Sequence, residues 1–466
     1  MRFSKIICKM IFSAGLLIGL GVTGLVNAQS TDATVSPGAA VARVYLPPEK
    51  IDTSFVEKNN TNQQLKLAEW KVGIDQVVPA VTVDTLGLTE LFSDHAQATV
   101  GRDVCIFYVK QMGNSPFHNH QLKFTCYSDI SSAPTVQQDL TSYINPAVGY
   151  FVSGVALEYY GGVVHAAVAT ISGSGTSKVR NIWYLRRINN VWTPNPTAQN
   201  MSLGTGVAEF GKGLRLMVRS NQTALIVYPE KVPTSQYFVK GIVNNFITPS
   251  APITLSPPSG YQMWITSRDT PQYDRYKTFN AFHNDIAGSD LNGSTIVTSS
   301  IGNTSGLYPA VQFYSNPQGN TNMNHQPLAG MLPNVMAPWG HAVAKDNSSA
   351  RAIFASVLGG INQGAAIQYG AKDLYFDTAR NISTPTPWNL STQVRLEGTT
   401  ATDEYYNSPE ILSYSGSNYI GCIFIKVNAP YATVRVYSQQ LGWTPAKVLH
   451  TAPNIEVYRL RMTVRD

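Results

Sequence analysis

Residues 408–450 read SPEILSYSGSNYIGCIFIKVNAPYATVRVYSQQLGWTPAKVLH, and this stretch decides the fold class. The short turn signals SGS, NAPY and QQLG divide it into four apolar runs. Runs of this length that are rich in β-branched and aromatic residues predict strands, and short connections predict antiparallel neighbours. The stretch therefore predicts four antiparallel strands, at Pro409–Tyr414, Tyr419–Val427, Ala432–Ser438 and Trp443–Leu449.

The same rhythm recurs upstream. Residues 153–196 predict strands at about Gly154–Tyr159, Val163–Ile171, Lys178–Arg187 and near Trp192, and they close on Trp-Thr-Pro as the C-terminal copy does. Residues 340–392 carry Trp388 in the same closing place. Trp388 and Trp443 are 55 positions apart, and Trp192 and Trp388 are 196 apart, which is close to four such steps.

Weaker copies occupy residues 95–127 and 206–243, whereas residues 259–338 read as two short units or as one unit with a large insertion. Repetition of four-stranded units at this period predicts an all-β fold, a β-propeller of six or seven four-stranded antiparallel blades, with seven favoured. The alternative is a tandem pair of β-sandwiches, which predicts no such period. The runs at 76–84 and 454–466 are single strands, and pairing terminal strands in one blade closes a ring.

The N-terminus predicts a signal peptide. Basic residues precede about sixteen apolar and small residues, and Val26 and Ala28 fit a cleavage site after Ala28. We therefore expect residues 1–28 to be removed, residues 29–64 to form an extended polar lead-in, and residues 65–466 to form one propeller domain. The short basic leader is typical of bacteria, and the protein is expected to be secreted, periplasmic or at the cell surface, without a membrane anchor after cleavage.

Three cysteines remain after that cleavage. Cys105 and Cys126 lie on two alternating strands joined by ten loop-forming residues, and folding this hairpin about its middle places them opposite each other. Directly opposed residues of antiparallel strands are close enough to bridge, so we predict a Cys105–Cys126 disulfide. Cys422 lies in an apolar strand and is expected to be a buried small hydrophobe.

Composition narrows the function classes. The chain of 466 residues is 43% hydrophobic and only 13% charged, which fits a β-rich globular protein. Its formal charge of +6 falls to +3 when the three basic residues of the leader are removed, and there is no Lys/Arg-rich run. This pattern argues against nucleic acid as a partner. No phosphate-binding glycine loop precedes a helix, and we predict no cofactor.

The repeated pattern of strand, tight turn, long strand, VRVYS and a Trp-containing turn resembles the blades of sialidase-like and lectin-like propellers, over residues 90–450. The best match to the Asp-box turn of sialidases is SQQLGW at 438–443, which lacks the Asp and has a shorter Gly-to-Trp spacing. A sialidase-like hydrolase would need an arginine cluster, a Tyr nucleophile beside a Glu, and an Asp acid. The candidates that this resemblance implies are Arg102, Arg268, Arg351, Asp403, Glu404 and Tyr405, and none is assigned a catalytic role.

Aromatic and amide residues concentrate in the predicted connections. Tyr273, Tyr276, Tyr405 and Tyr406 are candidates for stacking on a sugar ring or on a protein surface. The pairs His118/His120 and His283/Asp285 each supply half of a metal site, so we predict no metal. The favoured interpretation is an exported binding or interaction protein with a glycan or protein ligand, and enzymatic activity is not favoured. A sialidase-like glycoside hydrolase and a non-catalytic structural or envelope-associated scaffold are the alternatives.

Overall fold

The computed structural model describes residues 27–28, 42–43, 48–87, 89–113, 120–144, 150–173, 175–194, 198–206, 209–210, 213–218, 223–231, 237–244, 249–255, 262–264, 279–283, 295–303, 306–316, 320–329, 338–346, 351–360, 364–373, 388–389, 392–398, 404–426, 431–439, 442–453 and 456–466. The predicted signal peptide lies almost wholly outside these residues. The only helices among them are three short 3-10 turns, so the fold is all-β, as predicted.

The first nine strands lie between residues 27 and 139. They are β1 (Asn27–Ala28), β2 (Ala42–Arg43), β3 (Lys50–Lys58), β4 (Asn62–Lys71), β5 (Gln76–Gly87), β6 (Leu91–Val100), β7 (Asp103–Gln111), β8 (His120–Tyr127) and β9 (Val136–Asp139), with 3-10 turns at Val72–Ile74 and Thr141–Tyr143.

The next ten strands lie between residues 150 and 255. They are β10 (Tyr150–Tyr160), β11 (Val163–Ser172), β12 (Val179–Ile188), β13 (Val191–Thr193), β14 (Gln199–Thr205), β15 (Glu209–Phe210), β16 (Arg215–Val218), β17 (Ala224–Lys231), β18 (Tyr237–Asn244) and β19 (Ile253–Leu255), with a 3-10 turn at Gly175–Ser177.

The remaining strands complete the chain. They are β20 (Gln262–Trp264), β21 (Phe279–His283), β22 (Thr295–Asn303), β23 (Gly306–Asn316), β24 (Asn320–Ala329), β25 (Pro338–Asp346), β26 (Arg351–Gly360), β27 (Gly364–Asp373), β28 (Trp388–Asn389), β29 (Thr392–Gly398), β30 (Glu404–Tyr414), β31 (Ser417–Lys426), β32 (Tyr431–Gln439), β33 (Lys447–Pro453) and β34 (Glu456–Arg465).

Apart from the small β1–β2 pair, the described strands form seven sheets, numbered here along the chain. Sheet 1 has the order β34-β3-β4-β5, sheet 2 is β6-β7-β8-β9, and sheet 3 is β10-β11-β12 with β13 and β14. Sheet 4 contains β15–β19, sheet 5 contains β20–β24 and β28, sheet 6 is β25-β26-β27-β29, and sheet 7 is β30-β31-β32-β33. Pairing is antiparallel throughout except between β24 and β28. The last strand of the chain therefore lies in the same sheet as the first long strands.

One strand of each sheet contacts the corresponding strands of the neighbouring sheets, and we call it the first strand of that sheet: β34, β6, β10, β16, β21, β25 and β30 for sheets 1 to 7. The strand β34 contacts β6, which contacts β10, and β10 contacts β16. The series continues through β21 and β25 to β30, and β30 contacts β34 again. The buried apolar side chains lie between neighbouring sheets: separate clusters fill the spaces between sheets 1 and 2, 2 and 3, 3 and 4, 6 and 7, and 7 and 1.

Two of the repeated tryptophans contact a neighbouring sheet. Trp192 packs edge-on against Phe124 of sheet 2 at 5.1 Å between ring centroids, and its indole N–H donates to Gln138 at 2.9 Å. Trp443 packs against the cluster between sheets 6 and 7. Trp388 instead pairs through its backbone with Leu328 within sheet 5. The closing turns at Trp192 and Trp443 thus hold neighbouring sheets together.

One boundary differs from the sequence prediction. Residues 50–64, assigned to the polar lead-in, include β3 and the start of β4, and seven of the nine residues of β3 are buried. The buried strand tolerates the polar Asp52 because Asp52 accepts hydrogen bonds from Arg465 of β34, at 2.6 and 2.8 Å.

For residues 259–338 the sequence left two alternatives open. The described strands β20–β24 belong to one sheet, which is the second alternative, and Pro338 begins β25 of sheet 6.

The predicted disulfide is confirmed. Cys105 of β7 pairs directly with Cys126 of β8, and their Cα atoms are 4.0 Å apart. Cys422 is buried and is not disulfide-bonded, as expected. Within the described residues, no helix has the length and apolar character needed to cross a membrane.

Candidate functional site

A cavity of about 350 Å³ lies where the first strands of the sheets converge. Its lining comes from β6, β10, β16, β25, β30 and β34, which belong to six of the seven sheets, and from Leu214 beside β16. Ten of its fifteen lining residues are apolar, including Ala156, Met217 and Val343, but polar atoms form the larger part of its exposed wall. In a concave site, a few converging polar groups fix the orientation of a ligand.

Five polar side chains line this cavity: Gln97, Glu158, Arg215, Glu410 and Arg461. They are supplied by strands that are far apart in sequence. Each of the four charged residues is flanked by apolar neighbours in its strand, so the fold, and not local sequence, brings them together.

Irregular pairing places several of these residues. The register shifts between each of five first strands and its neighbour, near Ser93, Ser153, Trp339, Ser408 and Arg459. A β-bulge of this kind bends the strand and redirects the following side chains, and bulges occur often beside functional sites. In β30 the shift directly precedes Glu410, and in β34 it directly precedes Arg461.

Asp94 fixes the position of Arg461. One carboxylate oxygen of Asp94 accepts hydrogen bonds from the backbone N–H of His95 at 2.9 Å and lies 3.3 Å from Arg461 Nη2. The other accepts from the backbone N–H of Val155 at 3.0 Å. Arg461 also donates to the carbonyl of His95 at 3.0 Å. The carboxylate therefore ties β6, β10 and β34 together at the cavity wall.

The two arginines are balanced by carboxylates. Arg461 Nη1 lies 3.6 Å from Glu410 Oε1, in addition to its contact with Asp94. Burial lowers the pKa of the Arg215 guanidinium to about 10, and Arg461 adds to this effect, whereas Glu410 and Asp94 oppose it. Arg215 remains charged at neutral pH and feels both carboxylates.

Glu158 stands apart from this network. Burial alone raises the pKa of its carboxyl to about 7. No hydrogen bond or ion pair within the described part of the chain engages the Glu158 carboxyl group. An acidic group with a strongly raised pKa in a cavity is a candidate for proton transfer or for hydrogen-bond donation to a ligand.

Close packing of two backbones joins β10 to the segment that precedes β16, the strands that carry Glu158 and Arg215. A Cβ atom built on Gly154 of β10 would lie 2.9 Å from the carbonyl carbon of Gly213, which precedes β16. Only a residue without a side chain allows sheets 3 and 4 to approach this closely.

The residues predicted from sequence lie elsewhere where they are described. Glu404 pairs with Lys426 of β31 at 2.8 Å. Tyr405 lies in β30 next to Tyr406, whose ring is 1% exposed and packs 5.2 Å from Phe424. A ligand contact by either tyrosine stays a prediction. Asp403, Arg268, Tyr273 and Tyr276 lie outside the described residues, and their roles stay predictions.

The other candidates have structural surroundings. The carbonyl of Arg102 accepts a hydrogen bond from Arg465 at 3.2 Å, and Arg351 begins β26. His120 is buried in β8, and His283 ends β21, whereas His118 and Asp285 lie outside the described residues. Within the described ranges, no group of three potential metal ligands was found.

Comparison with known proteins gives structural likeness only. No protein-family model matches the chain, and no curated protein matches it. Sialidases are among the solved structures that it resembles. The Trypanosoma rangeli sialidase bound to sialic acid is 11% identical with a TM-score of 0.45, and the match covers 84% of this chain and 59% of that one.

Two further structures are similar. The Hadza microbial sialidase Hz136 is 9% identical with a TM-score of 0.43, covering 79% of this chain and 74% of that one. An ulvan lyase from a new family of polysaccharide lyase is 8% identical with a TM-score of 0.48, covering 80% of this chain and 91% of that one. These neighbours act on glycans, as their names state.

Sequence reasoning missed the cavity residues. The available signal was a charged residue between apolar neighbours in a strand, as in GVALEYY around Glu158, GLRLMV around Arg215 and RLRMTV around Arg461. Such a charge is buried only if another strand supplies its partner or if a cavity receives it.

Proposed function

We propose that the protein is an exported seven-bladed β-propeller that binds carbohydrate in its central cavity. The observation that carries this proposal is the convergence of Glu158, Arg215, Glu410 and Arg461 on one cavity. A ring of sheets joined by first-strand contacts supplies such a cavity at its centre, because the first strands converge there.

Two features support the closed ring of seven. Each first strand contacts those of two neighbouring sheets, and β30 returns to β34. The strand β34 pairs with β3, so the last described strand is held in one sheet with the first long strands. Arg465 reinforces this pairing through Asp52 and through Glu69 at 2.6 Å.

The cavity suits a sugar in size and chemistry. Its volume of about 350 Å³ lies within the common range for small-molecule pockets. Arginine, glutamine and carboxyl groups donate and accept hydrogen bonds with hydroxyl groups, and Met217 is among the apolar residues of the lining. Tyr273, Tyr276, Tyr405 and Tyr406 remain proposed additional ligand contacts.

Export is part of the proposal. Residues 1–28 have the pattern of a signal peptide, and Cys105–Cys126 is a disulfide of the kind that persists in oxidising compartments. We infer a secreted, periplasmic or cell-surface location.

Glycoside hydrolysis is the second candidate function, and the raised pKa of Glu158 favours it. A carboxyl group that keeps its proton near neutral pH serves as the general acid that protonates a departing sugar oxygen. In this alternative Glu158 joins Glu404, Tyr405, Asp403 and Arg268 as a proposed catalytic group.

A glycan-array screen of the purified exported protein, run beside a panel of fluorogenic glycosides, tests the proposal. Saturable binding that Arg215→Ala weakens more than about tenfold supports cavity binding, since hydrogen bonds to charged groups contribute about 1.5–3 kcal/mol. Arg395→Ala is the matched control, because Arg395 is exposed on β29 of sheet 6 and is not part of the cavity lining. Turnover abolished by Glu158→Gln establishes the hydrolase instead. Absence of both binding and turnover contradicts both functions.

A further inference from the structure

We propose that the central cavity selects neutral sugars and rejects sugars that carry a carboxylate, an inference that rests on the proposed carbohydrate-binding function. The described residues bring both acidic and basic groups to the cavity, and Arg461 is already paired with two of the acidic groups.

The positive charges are already compensated. Arg461 lies 3.3 Å from Asp94 Oδ1 and 3.6 Å from Glu410 Oε1, so two carboxylates share one guanidinium. The same two carboxylates, of Asp94 and Glu410, attract the charge of Arg215. An incoming carboxylate must therefore compete with Asp94 and Glu410 for either arginine.

Asp94 is not displaced easily. It is 5% exposed, and its two oxygens also accept backbone hydrogen bonds from β6 and β10. Breaking a buried ion pair of this kind leaves an uncompensated charge, which is strongly unfavourable.

Glu158 adds a further negative group to the wall. Within the described residues it has no cationic partner, so above its titration range its charge acts directly on the contents of the cavity. The acidic groups Glu158, Glu410 and the adjacent Asp94 thus outnumber the two arginines. Specificity often comes from such repulsive elements as much as from attraction.

A neutral sugar avoids these costs. Its hydroxyl groups accept hydrogen bonds from the arginines without removing their carboxylate partners, and they donate to the outward lone pairs of Glu410 and Glu158. The cavity therefore favours a hydroxyl-rich, uncharged ring.

The test is a set of matched titrations on the full exported protein at pH 8. Each methyl hexoside in the panel, of glucose, galactose and mannose, is compared with its uronate, which differs only in carrying a carboxylate at C6. We expect the best-bound hexoside to bind at least about tenfold more tightly than its uronate, because two like charges a few ångströms apart at a protein surface repel by more than the equivalent free energy.

Glu158→Gln removes one repulsive charge with little change of shape. It should therefore reduce the ratio of uronate to hexoside dissociation constants by several-fold. Glu49→Gln is the control, since Glu49 is exposed and lies outside the cavity lining. Equal or tighter binding of the uronate by the wild-type protein overturns the selectivity while leaving carbohydrate binding intact. Failure of every hexoside and every uronate to bind overturns the proposed function and the selectivity together.

Discussion

Asp94 and Arg461 form an ion pair at 3.3 Å although they are 367 positions apart in the chain. Asp94 belongs to the first strand of sheet 2, and Arg461 belongs to the C-terminal strand, which completes sheet 1. The pair therefore couples the closure of the chain to the geometry of the cavity.

Asp94→Asn should destabilise the protein by about 3 kcal/mol or more, because it removes a buried charge that accepts two backbone hydrogen bonds and pairs with Arg461. Urea unfolding of the variant measures this loss. Asp139→Asn is the control: Asp139 pairs with Lys123 at 2.6 Å but is exposed, so its loss should stay within about 1 kcal/mol. Equal effects of the two substitutions would contradict the assigned role of Asp94.

Gly154→Ala should weaken both folding and ligand binding. The added Cβ meets the backbone of Gly213 at 2.9 Å and must separate β10 from β16, at a cost of about 1–3 kcal/mol. Thermal unfolding and a sugar titration check the two effects. At Gly73 a Cβ meets no atom within 4 Å, so Gly73→Ala should change neither quantity.

Glu158 should make stability depend on pH in a defined direction. Its pKa is raised from 4.5 to about 7, so the folded protein holds the proton more tightly than the unfolded chain does. The resulting stabilisation is complete below pH 4.5 and is lost as the pH rises through about 7. The nearby charged and titratable groups on packed strands are His165, which opposes Glu158 on β11, and Arg215 on β16.

The melting temperature of the wild type, relative to that of Glu158→Gln, is therefore expected to decrease as the pH is raised from 5 to 8, because glutamine does not ionise. The corresponding difference for Glu49→Gln should stay flat. A constant difference for Glu158→Gln across this range would show that the carboxyl group titrates as it does in water.

The Cys105–Cys126 disulfide should contribute about 3 kcal/mol, the value expected for closing a loop of this size in the unfolded chain. Replacing both cysteines with alanine lowers the unfolding midpoint accordingly. Dithiothreitol should lower the midpoint of the wild type and leave that of the double variant unchanged. A reductant effect of equal size on both proteins would mean that another group is responsible.

Local patterns in the sequence predicted much of the fold. The hairpin that opposes Cys105 and Cys126 follows from alternation and from a turn-forming loop, and the Trp192 and Trp443 turns follow from repetition. The strand β3 was missed because Asp52 looks like a surface residue until Arg465, over four hundred positions away, is placed beside it.

The cavity was harder to predict for the same reason. Its polar residues lie between apolar neighbours on strands that are far apart in sequence, from Gln97 to Arg461, and their proximity depends on how the sheets are arranged. The sequence pattern favoured tyrosine-rich connections instead, because candidate ligand-binding residues lie close together there in the sequence. Long-range convergence leaves no local spacing that a motif search detects.

The most direct test of central-cavity recognition is a crystal structure of the protein with the tightest-binding sugar from the array. We predict that the sugar lies between β10, β16, β30 and β34, within hydrogen-bonding distance of Arg215, Glu410 or Glu158. A sugar bound on the outer loops, with this cavity unchanged and filled only by solvent, would contradict the account.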